Sequence, residues 1–288
     1  MYEMNWSESI KVAIDYIENN LTNDITINDI SKKCYISPYY FQKGFAMLCG
    51  YSVSEYIRNR RLSLAGLELL NTDNKIIDIA LKYGYDSPDS FTKAFKRFHG
   101  STPIDIRNKK GTLKDFSPLK INVSLDGGYS LDYRIEEKEE FKAIGLKKTI
   151  EYKNALEDVE KCWKTFFVKN IFNKINPKYE INIDKNMIGD NFEYIIGDDY
   201  NHNNNYSKYF EVINIPKFTW VIFPCIGPTK ESIKNINEKI FKEWLPNNTN
   251  YNIADGYNII MYSNPKDFKK GINDQNYYCE IWIPVIKK

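Results

Sequence analysis

One pattern occurs twice in the first hundred residues, and it limits what this part of the chain can fold into. Ile76-Ile77-Asp78-Ile79-Ala80 leads through Gly84-Tyr85 and Ser87-Pro88 into Phe91, Phe95 and Gly100. About fifty residues earlier Ile27-Asn28-Asp29-Ile30-Ser31 leads through Ser37-Pro38 into Phe41, Phe45 and Gly50. A short helix, a tight turn and a second helix opened by Ser-Pro make a helix-turn-helix, so the chain carries two in tandem.

The surrounding periodicity extends this plan. Ile10, Ala13, Ile14, Ile17 and Leu21 form one apolar stripe on a helix over 9–21. Asn28 is placed to cap the second helix, and Phe41, Phe45 and Leu48 form the inner face of the third. Tyr39, Tyr40, Gln42 and Lys43 then face the other way. A longer helix over 52–70 carries Val53, Tyr56, Ile57, Leu64, Leu67 and Leu70 as its stripe, with Arg58, Arg60 and Arg61 as a basic cluster. In the second copy Asp89, Thr92, Lys93 and Lys96 lie opposite the buried phenylalanines, and Thr102-Pro103 opens a last short helix.

The connecting helix, about 19 residues at 1.5 Å each, spans roughly 28 Å. One turn of B-DNA is about 34 Å, so two recognition helices on one chain suit successive major grooves. Residues 9–107 resemble the AraC/XylS family of transcription regulators, whose DNA-binding domain is a seven-helix, all-α tandem helix-turn-helix. Asp78-Ile79-Ala80, Gly84-Tyr85, Ser87-Pro88, Phe91, Phe95, Gly100, Pro103 and Arg107 carry the likeness. Gln42 and Lys43 fall where MarA- and Rob-like members place a Gln-basic pair facing the groove. The resemblance implies double-stranded DNA as partner, contacted by Tyr39, Tyr40, Gln42, Lys43, Arg58, Arg61, Asp89, Thr92, Lys93 and Lys96. Pro88-Asp89 departs from the more open polar residues of relatives, so the operator is not transferable.

Charge adds little. The net charge of the chain is +2, and residues 1–110 hold 15 Lys and Arg against 13 Asp and Glu. Where the charges point matters more than their sum. Five scattered cysteines without a CxxC pair fit reduced thiols, and two histidines argue against a metal site or a triad. No metal and no cofactor is expected. With no apolar run near 20 residues, a cytoplasmic protein without membrane contact is expected by default.

Residues 1–110 are thus expected as the DNA-binding domain and 111–130 as a linker, with Gly111, Pro118 and Gly127-Gly128 as breakers. Beyond it the period changes to two. Leu131, Tyr133 and Ile135 alternate, Phe141 to Ile150 makes another strand, and a helix follows with Leu156, Val159, Trp163, Phe166 and Phe167. A strand over 187–196 closes the first half. The second half repeats with strands near 210–215 and 218–225, a helix through Ile233, Ile236, Ile240, Phe241 and Trp244, and strands at 257–262 and 278–285. Two strand-strand-helix-strand halves predict an α+β domain over 131–288 with an antiparallel sheet.

This duplicated plan resembles the GyrI-like effector-binding domain that follows the DNA-binding domain in Rob-like regulators. Glu140 to Leu146, Glu243-Trp244-Leu245-Pro246 and Glu280 to Val285 carry that likeness. It implies a groove for an aromatic or cationic small molecule, with aromatic walls and a buried acid. The candidates are Trp163, Phe166, Tyr194, Trp220, Trp244, Tyr262 and Trp282, each of which, taken singly, reads more simply as core than as a ligand wall. The family often has Glu two residues before the tyrosine matching Tyr262, and here Ile260 stands there. Glu280 or Glu193 is then the candidate acid, unless both simply face solvent. A sequence-specific regulator that senses a small molecule and contacts RNA polymerase, and is not an enzyme, is the expected function. An effector-free regulator with a structural or protein-binding second domain stays open, and a hydrolytic groove is the remote alternative.

Overall fold

The computed structural model describes residues 6–120, 131–169, 175–184 and 191–288. Its contacts divide the chain into two units: residues 1–35 with 49–126, and residues 36–48 with 127–288. Seven helices precede the first strand among the described residues: α1 (Trp6–Asn19), α2 (Ile27–Cys34), α3 (Pro38–Cys49), α4 (Val53–Asn71), α5 (Ile76–Lys82), α6 (Pro88–His99) and α7 (Pro103–Arg107).

Local chemistry accounts for most boundaries in the first unit. Thr26, and not Asn28, caps α2: its hydroxyl accepts from Asp29 N while the Asp29 carboxylate accepts from Thr26 N. The same reciprocal box opens α4 with Ser52 and Glu55, and α7 with Thr102 and Asp105. Gly100, at φ 83°, ends α6 in the left-handed region that favours glycine. Leu62, Ala65, Leu69, Ile79, Ala80, Phe91, Phe95 and Ile106 form one core around α4–α7.

The stripe expected on α4 is displaced. Leu67 and Leu70 are exposed, as is Leu48 on α3, while Leu62, Ala65 and Leu69 face inward. Arg60 is buried among them and makes a 2.8 Å ion pair with Glu18. The described part of the linker runs beside these groups. Phe116 N donates to Ser63 Oγ (3.1 Å), Leu119 N to the Tyr56 hydroxyl (3.1 Å), and the Phe116 carbonyl accepts from Arg60. Residues 121–130, with the Gly127-Gly128 pair, lie outside the described residues.

The second unit is built on a nine-stranded antiparallel sheet: β1 (Arg134–Lys138), β2 (Phe141–Glu151), β3 (Tyr179–Ile183), β4 (Asn191–Asp199), β5 (Glu211–Ile215), β6 (Phe218–Ile226), β7 (Tyr251–Ile253), β8 (Tyr257–Tyr262) and β9 (Tyr278–Lys287). The order is β1-β6-β9-β8-β3-β4-β2-β5, with β7 paired to β9. Each half follows strand-strand-helix-strand-strand, one strand more in the first half than the sequence pattern implied, and the second half adds the short β7 after its helix. Equivalent strands occupy mirrored places in the order, so a pseudo-two-fold axis passes between β8 and β3. Each half also lends its first strand to the other: β1 pairs β6, and β5 pairs β2.

Alternation sorts the sheet's two faces. One holds Tyr179, Ile181, Ile195, Trp220, Ile222, Ile259 and Trp282 in a single cluster. Only Pro216 and Lys217 separate β5 from β6, although these strands lie near opposite ends of the order, so the sheet curls around this cluster. Phe141 and Trp282, on strands far apart in that order, come within 6.5 Å of each other. The other face carries α8 (Ala155–Lys169) and α9 (Thr229–Lys239), the latter continued by a π-helical turn, Ile240–Trp244. Phe166 and Cys162 of α8 pack there on Ile144, Leu146, Phe192 and Tyr194. Phe167, placed by periodicity on the inner side of α8, is exposed, as are Tyr133 and Ile135.

Candidate functional site

The charged group at the centre of the helix-bearing face is Glu180 of β3. Alternation explains its place, because Tyr179 and Ile181 point into the opposite cluster and Glu180 must point away. It is surrounded by protein yet keeps part of its surface accessible. The Tyr262 hydroxyl donates to Glu180 Oε2 at 2.9 Å, and Tyr194 donates to the same carboxylate. Trp163 Nε1–H donates in turn to the Tyr194 hydroxyl at 2.9 Å, and its ring meets Tyr262 edge-on at 6.2 Å. Burial raises the Glu180 pKa, opposed by the Tyr262 bond, the Lys43 charge and the Tyr194 bond.

Glu180 also answers the question left by Ile260. The two residues lie directly opposite each other across the β3–β8 ladder, so their side chains leave the sheet on one face. An acid thus stands on the neighbouring strand at the position paired with Ile260. Glu280 and Glu193 lie on the other face. Glu280 Oε1 accepts from Arg134 Nη2 (2.8 Å) and the Tyr278 hydroxyl (2.6 Å), and Oε2 from Trp282 Nε1 (2.6 Å). Glu193 lies 3.7 Å from Lys147 Nζ.

A cation already stands in this site. Lys43 Nζ donates to Asn258 Oδ1 and to the Tyr39 hydroxyl, each at 3.3 Å, and lies 5.9 Å from the centre of the Phe241 ring. Burial pulls the Lys43 pKa down to about 8, with the Glu180 charge resisting. The Tyr39 hydroxyl donates to Asn258 Oδ1 at 3.0 Å, and its ring lies 5.9 Å from Phe192. At the start of α3, Tyr39 N donates to Asp184 Oδ2 (3.1 Å), which also accepts from the Tyr152 hydroxyl (2.7 Å). Tyr40 is fully buried and donates to the Tyr257 carbonyl at 2.5 Å.

Of the residues selected from sequence, Trp163, Tyr194 and Tyr262 gather around Glu180, with Phe166 beneath them in the α8 core. Trp244 lies on the same face, packed on Phe223 at 5.2 Å. Trp220 and Trp282 belong to the opposite cluster, 5.9 Å apart, and do not join the site. Sequence reasoning missed Glu180, Asn258, Asp184 and Tyr152. The signal was present in the alternation of Tyr179-Glu180-Ile181-Asn182-Ile183, with an acid and an amide on its polar side.

The DNA-facing candidates also separate. Asp89, Lys93 and Lys96 are exposed along α6 and Thr92 is half-buried beside them. Arg58 is exposed, with Glu55 at 4.0 Å. Arg61 turns to the backbone, donating through Nε to the Leu21 carbonyl (2.7 Å) and through Nη2 to the Asn23 carbonyl (2.7 Å). Gln42 donates back to the Pro38 carbonyl at 3.4 Å, while Tyr39, Tyr40 and Lys43 turn toward the sheet.

Comparison with known proteins covers both regions. Residues 30–109 match a helix-turn-helix domain family, and residues 134–285 match the integron-associated effector binding protein family. The transcriptional activator AarP of Providencia stuartii is 40% identical over 118 residues, which are 41% of this chain and 87% of that protein. The regulatory protein SoxS of Salmonella typhimurium is 35% identical over 106 residues, 37% of this chain and 99% of its own. Among solved structures, an integron cassette protein from the mobile metagenome of Vibrio cholerae is 15% identical, with a TM-score of 0.41 over 54% of this chain and 95% of its own. The chain belongs to the AraC-type helix-turn-helix transcription regulators, and its C-terminal domain to the integron-associated effector binding proteins.

Proposed function

We propose that residues 1–110 contact duplex DNA through α3 and α6, and that residues 131–288 bind a small aromatic cation at Glu180. One observation carries the ligand reading. A carboxylate on the sheet's helix-bearing face, hydrogen-bonded by Tyr262 and Tyr194 and flanked by Trp163, shares its surroundings with an ammonium group whose charged form it favours. Aromatic faces attract a delocalised cation and one acid selects its sign, which is the chemistry such a ligand needs. Isothermal calorimetry with methyltriphenylphosphonium tests it. Glu180→Gln should bind about tenfold more weakly than the unaltered chain, the loss expected for one desolvated charge partner. Equal affinities would sink the reading.

A regulator without an effector is the second reading, supported by the fact that α3 fills part of the site with its own side chains. Absence of thermal stabilisation by every member of a panel of aromatic cations and neutral aromatics favours it. The groups around Glu180 are phenols, an indole, an amide and the Lys43 ammonium, a set we read as made for binding rather than turnover, and so we read the domain as non-catalytic. RNA polymerase is the protein partner and the cytoplasm the compartment that this reading implies.

A further inference from the structure

We propose that α3 is an internal ligand of the Glu180 site, so that α3 engages either that site or DNA but never both. This rests on the function proposed above, and it adds the means by which the ligand acts. Three observations converge on it. First, α3 lies within the helix-turn-helix match, and its Tyr39, Tyr40 and Lys43 are the residues that the DNA-binding reading needs exposed. Second, the same three side chains are engaged with the sheet: Tyr39 and Lys43 on Asn258, Tyr40 on the Tyr257 carbonyl. A side chain held in those bonds cannot also reach a base edge or a phosphate. Third, the docked groups reproduce the ligand chemistry of the site, an aromatic ring followed by a cation, with Lys43 Nζ held by Asn258 and Tyr39 and lying beside the Phe241 ring.

The dock has a separate anchor. Asp184 accepts from the Tyr39 amide, one of the N-terminal donors of α3 that no residue within the helix can satisfy. A carboxylate there also meets the positive end of the helix dipole. The Ser37 hydroxyl accepts the neighbouring Tyr40 amide at 3.2 Å, so the helix start is capped once by its own chain segment and once by β3's end. An aromatic cation entering beside Glu180 displaces Lys43 and Tyr39, and frees α3 for DNA.

The test uses the full chain and two substitutions that loosen the dock without touching Glu180 or any side chain of α3, Asp184→Asn and Asn258→Ala. Hydrogen exchange of the peptide covering 36–48 is measured with each, together with affinity for a duplex selected by the unaltered chain from a random pool. Either substitution should speed exchange in 36–48 and tighten DNA binding by up to about tenfold, as a larger competent fraction requires. Unchanged exchange and DNA affinity in both variants overturn the proposal. Methyltriphenylphosphonium should likewise speed exchange in 36–48 of the unaltered chain. A cation that binds and leaves this exchange unchanged overturns the competition. Failure of the cation to bind at all counts instead against the cation pocket, while the two substitutions still decide whether α3 is docked.

Discussion

Three arginines within four positions of α4 show how far residue type alone carries. Arg58 is exposed, Arg60 is buried on Glu18, and Arg61 caps backbone carbonyls of the segment after α1. The side chain is the same in all three, and their places around the helix and the groups packed against each separate them. Glu18 accepts from Arg60 and from the Tyr56 hydroxyl at 2.6 Å, so Glu18→Ala strands a buried guanidinium. Urea denaturation should report a loss of about 3 kcal/mol. His99 makes a second residue-scale case. Its Nδ1 accepts from Lys114 N (3.0 Å) and its Nε2 meets the Leu62 carbonyl (3.0 Å), which fixes a neutral ring with the proton on Nε2. Burial lowers its pKa from the ordinary 6.5, so the unfolded chain binds the proton more readily than the folded one. Stability is therefore fully present above about pH 6.5 and declines as pH falls through that value toward the lower folded pKa. Urea midpoints from about pH 7.5 down to about pH 5.5 should fall more steeply for the unaltered chain than for His99→Gln.

At the scale of elements, the second recognition helix was legible almost entirely. Ser87-Pro88 opens it, Gly100 closes it, Phe91 and Phe95 are buried, and Lys93 and Lys96 are exposed. Replacing Lys93 with alanine should weaken binding to all duplexes alike and lower the slope of binding against salt by about one, the loss of one phosphate contact. The third helix was legible in its period but not in its partner. Its two faces follow from spacing, whereas Tyr40 on the Tyr257 carbonyl and Lys43 near Glu180 depend on residues some 140 to 220 positions away. β3 was missed because its five residues are short and partly polar, and the acid went with it. Close strand approach is equally invisible to periodicity. Gly145 and Gly197 face each other across β2 and β4, and a Cβ on Gly145 would lie 2.6 Å from the Ile196 carbonyl oxygen. Gly145→Ala should destabilise the fold by about 2 kcal/mol in chemical denaturation.

For the whole molecule, the repeated halves predicted from sequence explain the sheet's mirrored order, and the α3 dock turns that sheet into one side of an equilibrium. Let a docked state hold α3 on Glu180's site and an open state leave both α3 and the site free. DNA that uses α3 and a cation that uses the site both select the open state, so each must strengthen the other. The coupling factor is bounded by the reciprocal of the open fraction in the free chain, because neither ligand can do more than abolish the docked state. Thermodynamic reciprocity then fixes a result that needs no operator sequence or effector name. The factor by which saturating methyltriphenylphosphonium lowers the Kd for DNA must equal the factor by which saturating DNA lowers the Kd for the cation. Asp184→Asn, which raises the open fraction at the outset, should shrink both factors together while tightening both basal affinities. Coupling that keeps its size in Asp184→Asn, or that makes the cation weaken DNA binding, would mean that the two ligands do not compete with one docked helix.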